Sequence, residues 1–144
     1  MVEVITSIEI LRPQDEVSQF VSDPDNAPKW YVNIKSAIWK TPKPLKIGSQ
    51  IEFEAHFMGK KLVYTYEVIE KSSARFVMQT SQGPFPMQTI YEWQALGQRK
   101  TKMILTNKGN PSGFSKILAP FMTGMMRKAN QKDLLKLKQL LERN

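Results

Sequence analysis

The sequence predicts an α+β fold in which a seven-stranded, curved antiparallel sheet wraps around one long C-terminal helix, with two short helices between strands 1 and 2. From residue 33 to residue 108, apolar and polar residues alternate with a period of two, which indicates strands with one buried face. After Gly113 the apolar residues recur with a period of about 3.6, typical of an amphipathic helix. The length of 144 residues and the 41% hydrophobic content fit one domain over residues 1–144.

The N-terminal segment predicts one strand and one short helix. "VEVITSIEI" (2–10) is rich in β-branched residues that alternate with polar ones, as in a strand. Pro13 opens the next segment, where Val17, Phe20 and Val21 have the i, i+3, i+4 spacing of a helix face.

"DPDNAPKW" (23–30) is the stretch that most resembles a metal or acid cluster. A calcium loop of the EF-hand type requires Gly at its sixth position and Glu at its twelfth, but Pro28 and Ile34 stand there. We therefore interpret it as a corner in which Asp23 or Asp25 caps a second short helix. Trp30 would then carry a large apolar side chain toward the sheet.

Six further strands follow. Their segments are "NIKSAIWKT" (33–41), "GSQIEFEAHF" (48–57), "KKLVYTYEVIE" (60–70), "ARFVMQTS" (74–81), "FPMQTIYEWQAL" (85–96) and "KTKMILTNK" (100–108). A tight turn is predicted at Gly59-Lys60, and Gly83-Pro84 and Gly97-Gln98 mark further breaks.

The C-terminal helix is predicted to span about thirty residues, with Pro120 kinking it or splitting off a first turn. Its apolar stripe consists of Phe114, Ile117, Leu118, Phe121, Met122, Met125, Ala129, Leu134, Leu137, Leu140 and Leu141. A sheet cannot bury its inner face without a covering layer, and a helix is only about 10–12 Å across. We therefore expect a cavity between the sheet and the helix.

The formal net charge is +8, and residues 114–144 contribute seven basic and two acidic side chains to it. We interpret this as the solvated face of the helix. Docking on a membrane surface and an adaptor role toward an acidic protein remain alternatives. A specific nucleic-acid partner is not predicted, because the aromatic residues lie in the inward phase of the strands rather than among the lysines.

Catalytic and metal signatures are weak. There is no Cys, and the one His, His56, falls on the polar face of its strand. Glu67, Glu70 and Glu92 also lie in the polar phase, so no metal or cofactor is predicted. Charged residues within 1–12 interrupt any apolar signal region, and no apolar run approaches the roughly 20 residues of a membrane span. We therefore predict a cytoplasmic protein without stable membrane insertion.

The order of motifs resembles the SRPBCC superfamily, the helix-grip fold that START domains share with bacterial polyketide cyclase/dehydrase-like proteins. The resemblance covers nearly the whole chain. It rests on "DPDNAPKW", "KIGSQIEF", "YTYEVIE", "TIYEWQAL", "KMILTNKG" and "LLKLKQLLE". It implies a ligand-binding fold with an internal apolar cavity, and it does not imply a reaction.

The predicted function is binding of a small hydrophobic ligand, lipid-like or polyketide-like, by a carrier or sensor. An enzyme of the cyclase/dehydrase type, with Tyr91 or Tyr66 as proton donor, is the alternative, so catalysis is left open. Methionine suits adaptable binding surfaces, and a buried tyrosine hydroxyl requires a partner. The predicted lining is Trp30, Phe53, Tyr64, Tyr66, Met78, Met87, Tyr91, Trp93, Met103, Asn107, Phe121 and Met125.

Overall fold

The computed structural model describes residues 2–57, 59–83, 86–110 and 119–143. Seven strands and three α-helices follow one another in the predicted order. They are β1 (Val2–Ile10), α1 (Gln14–Ser22), a 3-10 turn (Pro24–Asn26), α2 (Ala27–Trp30), β2 (Ile34–Trp39), β3 (Gln50–Phe57), β4 (Lys60–Lys71), β5 (Arg75–Gln82), β6 (Met87–Gly97), β7 (Lys100–Gly109) and α3 (Ala119–Glu142).

The strands form one antiparallel sheet in the order β1-β7-β6-β5-β4-β3-β2, so the predicted fold class is confirmed. β1 pairs with β7 along its whole length, from Val2 opposite Gly109 to Ile10 opposite Thr101. Register shifts interrupt the ladders of β2 with β3, of β4 with β5 and of β6 with β7. Such bulges bend the strands locally and increase their twist, which curves the sheet around the helix.

Lys60 belongs to β4, as the predicted segment 60–70 has it, and not to the predicted Gly59-Lys60 turn. It pairs with Phe57 of β3. Gly59 has a φ of 74°, in the left-handed region that glycine adopts without steric cost.

In the corner at residues 23–30, Asp23 caps the 3-10 turn and not the short helix α2, whose N-cap Asn26 makes no side-chain cap hydrogen bond. The Asp23 Oδ1 accepts a hydrogen bond from the Asp25 backbone N–H at 3.0 Å, and Pro24 occupies the first position of the turn. The Asp25 carboxylate accepts from Trp39 Nε1 and from Lys43 Nζ, each at 2.9 Å. Asp23 therefore stabilises the turn itself, and Asp25 holds the corner against β2 and the loop after it.

α3 buries its apolar side against the inner face of the sheet. It packs mainly against β1 and also contacts α2. Met122, Leu134 and Leu137 are buried, as the predicted stripe requires. Pro120 lies in the first turn, where a proline is tolerated. The part of the predicted stripe at residues 114–118 lies outside the described residues.

The two leucines Leu137 and Leu135 provide a matched test of this packing. Leu137 is 0% exposed and Leu135 is 50% exposed. We expect Leu137→Ala to lower the free energy of unfolding by about 2–5 kcal/mol, because it opens a void between α3 and the sheet. Leu135→Ala should change it by less than about 0.5 kcal/mol. Urea unfolding of both variants measures the difference, and equal losses would contradict this account of the packing.

Candidate ligand-binding cavity

A cavity of about 450 Å³ lies between the inner face of the sheet and the helices. α2 and the first half of α3 form one wall, and strands β2–β7 form the other. Exposed Lys60, at the start of β4, lies at its rim. The lining comprises Val21, Ser22, Pro24, Ala27, Trp30, Tyr31, Asn33, Ile34, Phe53, Ala55, Lys60, Leu62, Tyr64, Tyr66, Phe76, Met78, Met87, Thr89, Tyr91, Asn107, Met122, Met126, Ala129, Asn130 and Asp133.

An aromatic cluster forms the inner end of the wall. Trp30 is 1% exposed, and its ring centroid lies 4.0 Å from that of Tyr31 and 6.2 Å from that of Tyr91. Tyr91 also stacks on Phe76 and on Trp93, with interplanar angles of 15° and 12°. These contacts fix the orientation of the rings, so this part of the wall is preorganised.

Tyr31 and Tyr91 hydrogen-bond to each other through their hydroxyl groups. One hydroxyl donates its proton to the oxygen of the other, so the second hydroxyl still has a proton that it can donate. Burial raises the pKa of both tyrosines above the ordinary value. Both side chains are therefore neutral near pH 7 and act as hydrogen-bond donors or acceptors.

Tyr64 and Tyr66 lie on β4, in the sheet wall of the cavity. Burial raises the pKa of each phenol to about 12. The Tyr66 hydroxyl lies 4.0 Å from the Met87 sulfur. The Tyr64 ring packs directly on the backbone of Gly83, where an added Cβ would lie 2.5 Å from ring carbon Cδ1. Because glycine has no Cβ, Gly83 allows the Tyr64 ring to pack this close to its backbone.

Asp133 places a carboxyl group in the cavity wall from α3. It is 4% exposed, and its Oδ1 accepts a hydrogen bond from the Val32 backbone N–H at 2.9 Å. Burial raises its pKa to about 6, while the Val32 hydrogen bond and the charge of Lys136 lower it. Asp133 is the one carboxyl group among the described lining residues, and it titrates near neutral pH.

Further polar groups lie in the same wall. Thr89 donates a hydrogen bond to Asn107 Oδ1 at 2.7 Å across β6 and β7. Asn130 Nδ2 and Trp30 Nε1 are buried and have no hydrogen-bond acceptor among the described residues. Buried donors are normally satisfied, so these two groups mark places where an acceptor of a bound molecule would be favourable.

Most of the residues predicted from the sequence lie together in this wall. Those placed there are Trp30, Phe53, Tyr64, Tyr66, Met78, Met87, Tyr91 and Asn107. They are the inward-facing residues of the middle of the sheet and of the corner that ends at Trp30. Whether they contact a ligand remains a prediction.

Trp93 and Met103 are not among the lining residues, although both face inward. They are fully or almost fully buried in the same core cluster as Val17, Leu134 and Leu137. α1 packs on β6 and β7 at this end of the sheet, and its side chains fill the space. The period-two pattern identifies the inward face of a strand, and it does not show how far along the strand a cavity extends.

Phe121 and Met125 are the second correction. Phe121 is 60% exposed, and Met125 is half-buried and outside the lining. The cavity wall is instead formed by Met122, Met126 and Ala129, at i, i+4 and i+7. The predicted stripe already contains Met122 and Ala129, but hydrophobicity alone also includes the exposed Phe121.

Sequence reasoning misses Tyr31, Asn130 and Asp133. The last two occupy polar positions that suit the solvated side of a helix. Asp133 lies four residues after Ala129 and four before Leu137, so its helical phase is the available signal. Tyr31 follows Trp30 directly and has no comparable pattern to mark it.

The antiparallel sheet wrapped around the C-terminal helix, with a cavity between them, is the helix-grip architecture. The model of the family described as polyketide cyclase/dehydrase and lipid transport matches residues 1–142. The chain therefore belongs to this family, and the resemblance seen in the sequence is confirmed. A search of curated proteins finds no significant match.

Solved structures share the fold at low sequence identity. A START superfamily protein from Mycobacterium smegmatis superposes with a TM-score of 0.85 at 15% identity, covering 98% of this chain and 97% of the other. A protein from Thermus thermophilus gives 0.82 at 18% identity, with 95% and 94% covered. The Zhui aromatase/cyclase from Streptomyces sp. R1128 gives 0.81 at 12% identity, with 98% and 93% covered.

Asp133 gives a pH-dependent test of the site. Its folded pKa of about 6 lies above its ordinary value of 3.8, so ionisation in the folded state is unfavourable and stability falls as pH rises through this interval. We expect Asp133→Asn to gain about 3 kcal/mol relative to the native chain between about pH 4 and about pH 8. Urea unfolding across this range measures it. Parallel pH profiles for the two chains would show that Asp133 is not buried as described.

Proposed function

We propose that the protein binds a small, mostly apolar molecule inside the cavity, as a carrier or sensor. The observation that carries the proposal is the cavity of about 450 Å³ with a wall of aromatic, aliphatic and methionine side chains. This volume falls within the roughly 300–1,000 Å³ of small-molecule sites. Affinity would come from apolar burial at roughly 25 cal/mol per Å², less the cost of ordering both partners.

The polar groups support a ligand with an apolar body and a few oxygen atoms. The free proton of the Tyr31–Tyr91 pair, Asn130 Nδ2 and Trp30 Nε1 are donors, which suit carbonyl, hydroxyl or ether oxygens. Apolar side chains separate these donors from one another. Hydrogen bonds to the separate donors would therefore orient such a ligand without any charge pairing. Lipid-like and polyketide-like molecules both have this character, and the family description includes both activities.

A cavity-filling substitution tests binding at this place. Ala129 lines the cavity from α3, so Ala129→Phe would place a phenyl ring inside it. We expect the affinity for an apolar fluorescent probe to fall at least about tenfold. Ala95→Phe, an equal substitution at an exposed position of β6, is the control and should leave the affinity unchanged.

Native mass spectrometry of the protein purified from its own host provides the complementary measurement. A small molecule that co-purifies with the native chain and is lost from Ala129→Phe supports the proposal. If no molecule co-purifies and no apolar probe enters either chain, the binding function is wrong.

An enzyme of the cyclase/dehydrase type is the second candidate. The observation that favours it is the Tyr31–Tyr91 pair in the same cavity as Asp133, whose pKa of about 6 suits proton exchange near neutral pH. The tyrosines themselves are less suited to this role, because burial moves their pKa values further from neutrality. Zhui, which shares the fold, is described as an aromatase/cyclase.

Tyr91→Phe distinguishes the two candidates. An enzyme that uses Tyr91 as proton donor should lose turnover of a polyketide-like substrate while its binding affinity changes by less than about tenfold. Tyr31→Phe removes the partner hydroxyl and is the matched control, which should retain part of the turnover. A carrier shows no turnover in the native chain, and both variants then change only the affinity.

A further inference from the structure

The outer side of α3 carries a cationic face that the cavity does not use. Lys128, Lys132 and Lys136 follow one another at intervals of four residues and are all exposed. Residues at this spacing lie above one another on one side of a helix, so the three ammonium groups form a row. The cavity-lining residues Met122, Met126 and Ala129 lie on the adjacent, more buried side of the helix, and none of the three lysines lines the cavity.

These three lysines have no ion-pair partner within the described part of the chain. Several other surface lysines do have one, for example Lys61 with Glu54 at 3.3 Å and Lys100 with Glu9 at 2.9 Å. Like charges four residues apart on a helix repel one another and weaken it by a few tenths of a kcal/mol per pair. A negatively charged partner would remove this repulsion, so the charge pattern is complementary to an anionic surface.

Two exposed apolar side chains share this face with the lysines. Phe121, seven residues before Lys128, is 60% exposed, and Leu135, three residues after Lys132, is 50% exposed. Lysines interspersed with an exposed aromatic and a leucine are typical of helices that lie in the membrane interface. Duplex DNA would pair with the lysines through its phosphates and would offer Phe121 and Leu135 little apolar surface, whereas a bilayer offers both kinds of contact.

We propose that Phe121, Lys128, Lys132, Leu135 and Lys136 form a docking face for an anionic phospholipid bilayer. No described helix is long and apolar enough to cross a membrane, and docking of this kind requires no insertion beyond the headgroup region. The buried side of α3 stays on the sheet, so docking does not disturb the core. No residue of the docking face lines the cavity, and the test of docking does not depend on ligand binding.

A triple substitution tests the electrostatic part. Lys128→Gln, Lys132→Gln and Lys136→Gln together remove three charges from the face. Because each lysine near an anionic bilayer strengthens binding about fivefold, we expect binding to vesicles with about 30% phosphatidylglycerol in phosphatidylcholine to weaken on the order of 100-fold. The control carries Lys35→Gln, Lys46→Gln and Lys71→Gln, which removes three exposed lysines from β2, β4 and the loop between β2 and β3.

Phe121→Ala tests the apolar part, with Leu96→Ala, 44% exposed on β6, as its control. We expect Phe121→Ala to weaken binding to the same vesicles about tenfold and Leu96→Ala to leave it unchanged. All variants change exposed side chains, so circular dichroism and thermal unfolding should match the native chain. Co-sedimentation at about 50 mM and about 300 mM NaCl should show binding that weakens with salt.

The measurements divide the outcomes clearly. Binding that needs phosphatidylglycerol, fails in the helix triple variant and survives in the control triple variant supports the docking face. Equal loss in both triple variants, or no vesicle binding by the native chain, overturns it. If Phe121→Ala binds the vesicles as tightly as the native chain does, the membrane is not the occupant of the docking face. The same conclusion follows if the native chain binds double-stranded DNA but not the vesicles.

Discussion

The concave face of the sheet is wider than the single helix that covers it, and the cavity and the core both depend on this mismatch. At the β6–β7 end, α1 and the second half of α3 complete the cover, so Trp93, Met103 and Leu137 are closely packed. Toward the first half of α3, the cover consists of Met122, Met126 and Ala129, and the space of about 450 Å³ remains. The closely packed core and the cavity thus occupy two ends of one apolar layer.

The cavity contains polar groups whose burial weakens the fold. Asp133 receives one backbone hydrogen bond, which does not offset its burial, since its pKa remains raised to about 6. Asn130 Nδ2 and Trp30 Nε1 lack acceptors among the described residues. Replacing such groups by apolar ones would favour folding, so their presence in one wall favours a role in recognition over a role in stability.

Much of the fold follows from the sequence, because the hydrophobic period and the residues that begin or end an element are local properties. The alternation of residues 2–10 predicts β1 at its observed bounds, and the capping role of Asp23 follows from residue type and the adjacent proline. The wall of the cavity is different, because it depends on where α1 and α3 cover the sheet. Trp93 and Met78 have the same inward phase, yet α1 covers one of them and a cavity adjoins the other. The place of Asp133 in the cavity wall is not predicted, because its charge suggests a solvated position. Its helical phase nevertheless places it on the side of α3 that lines the cavity.

α3 joins the two proposed activities, because it lines the cavity with Met122, Met126 and Ala129 and carries the exposed lysines on the adjacent side. Lys136 is on the outer face, yet its charge lowers the pKa of Asp133 in the cavity wall. If an anionic bilayer neutralised Lys136, that influence would weaken and the pKa of Asp133 would rise further above its ordinary value. Docking would then favour the protonated carboxyl group, which donates a hydrogen bond instead of repelling an acceptor. The polarity of the cavity would thus respond to the surface on which α3 lies, with no change in the position of the helix.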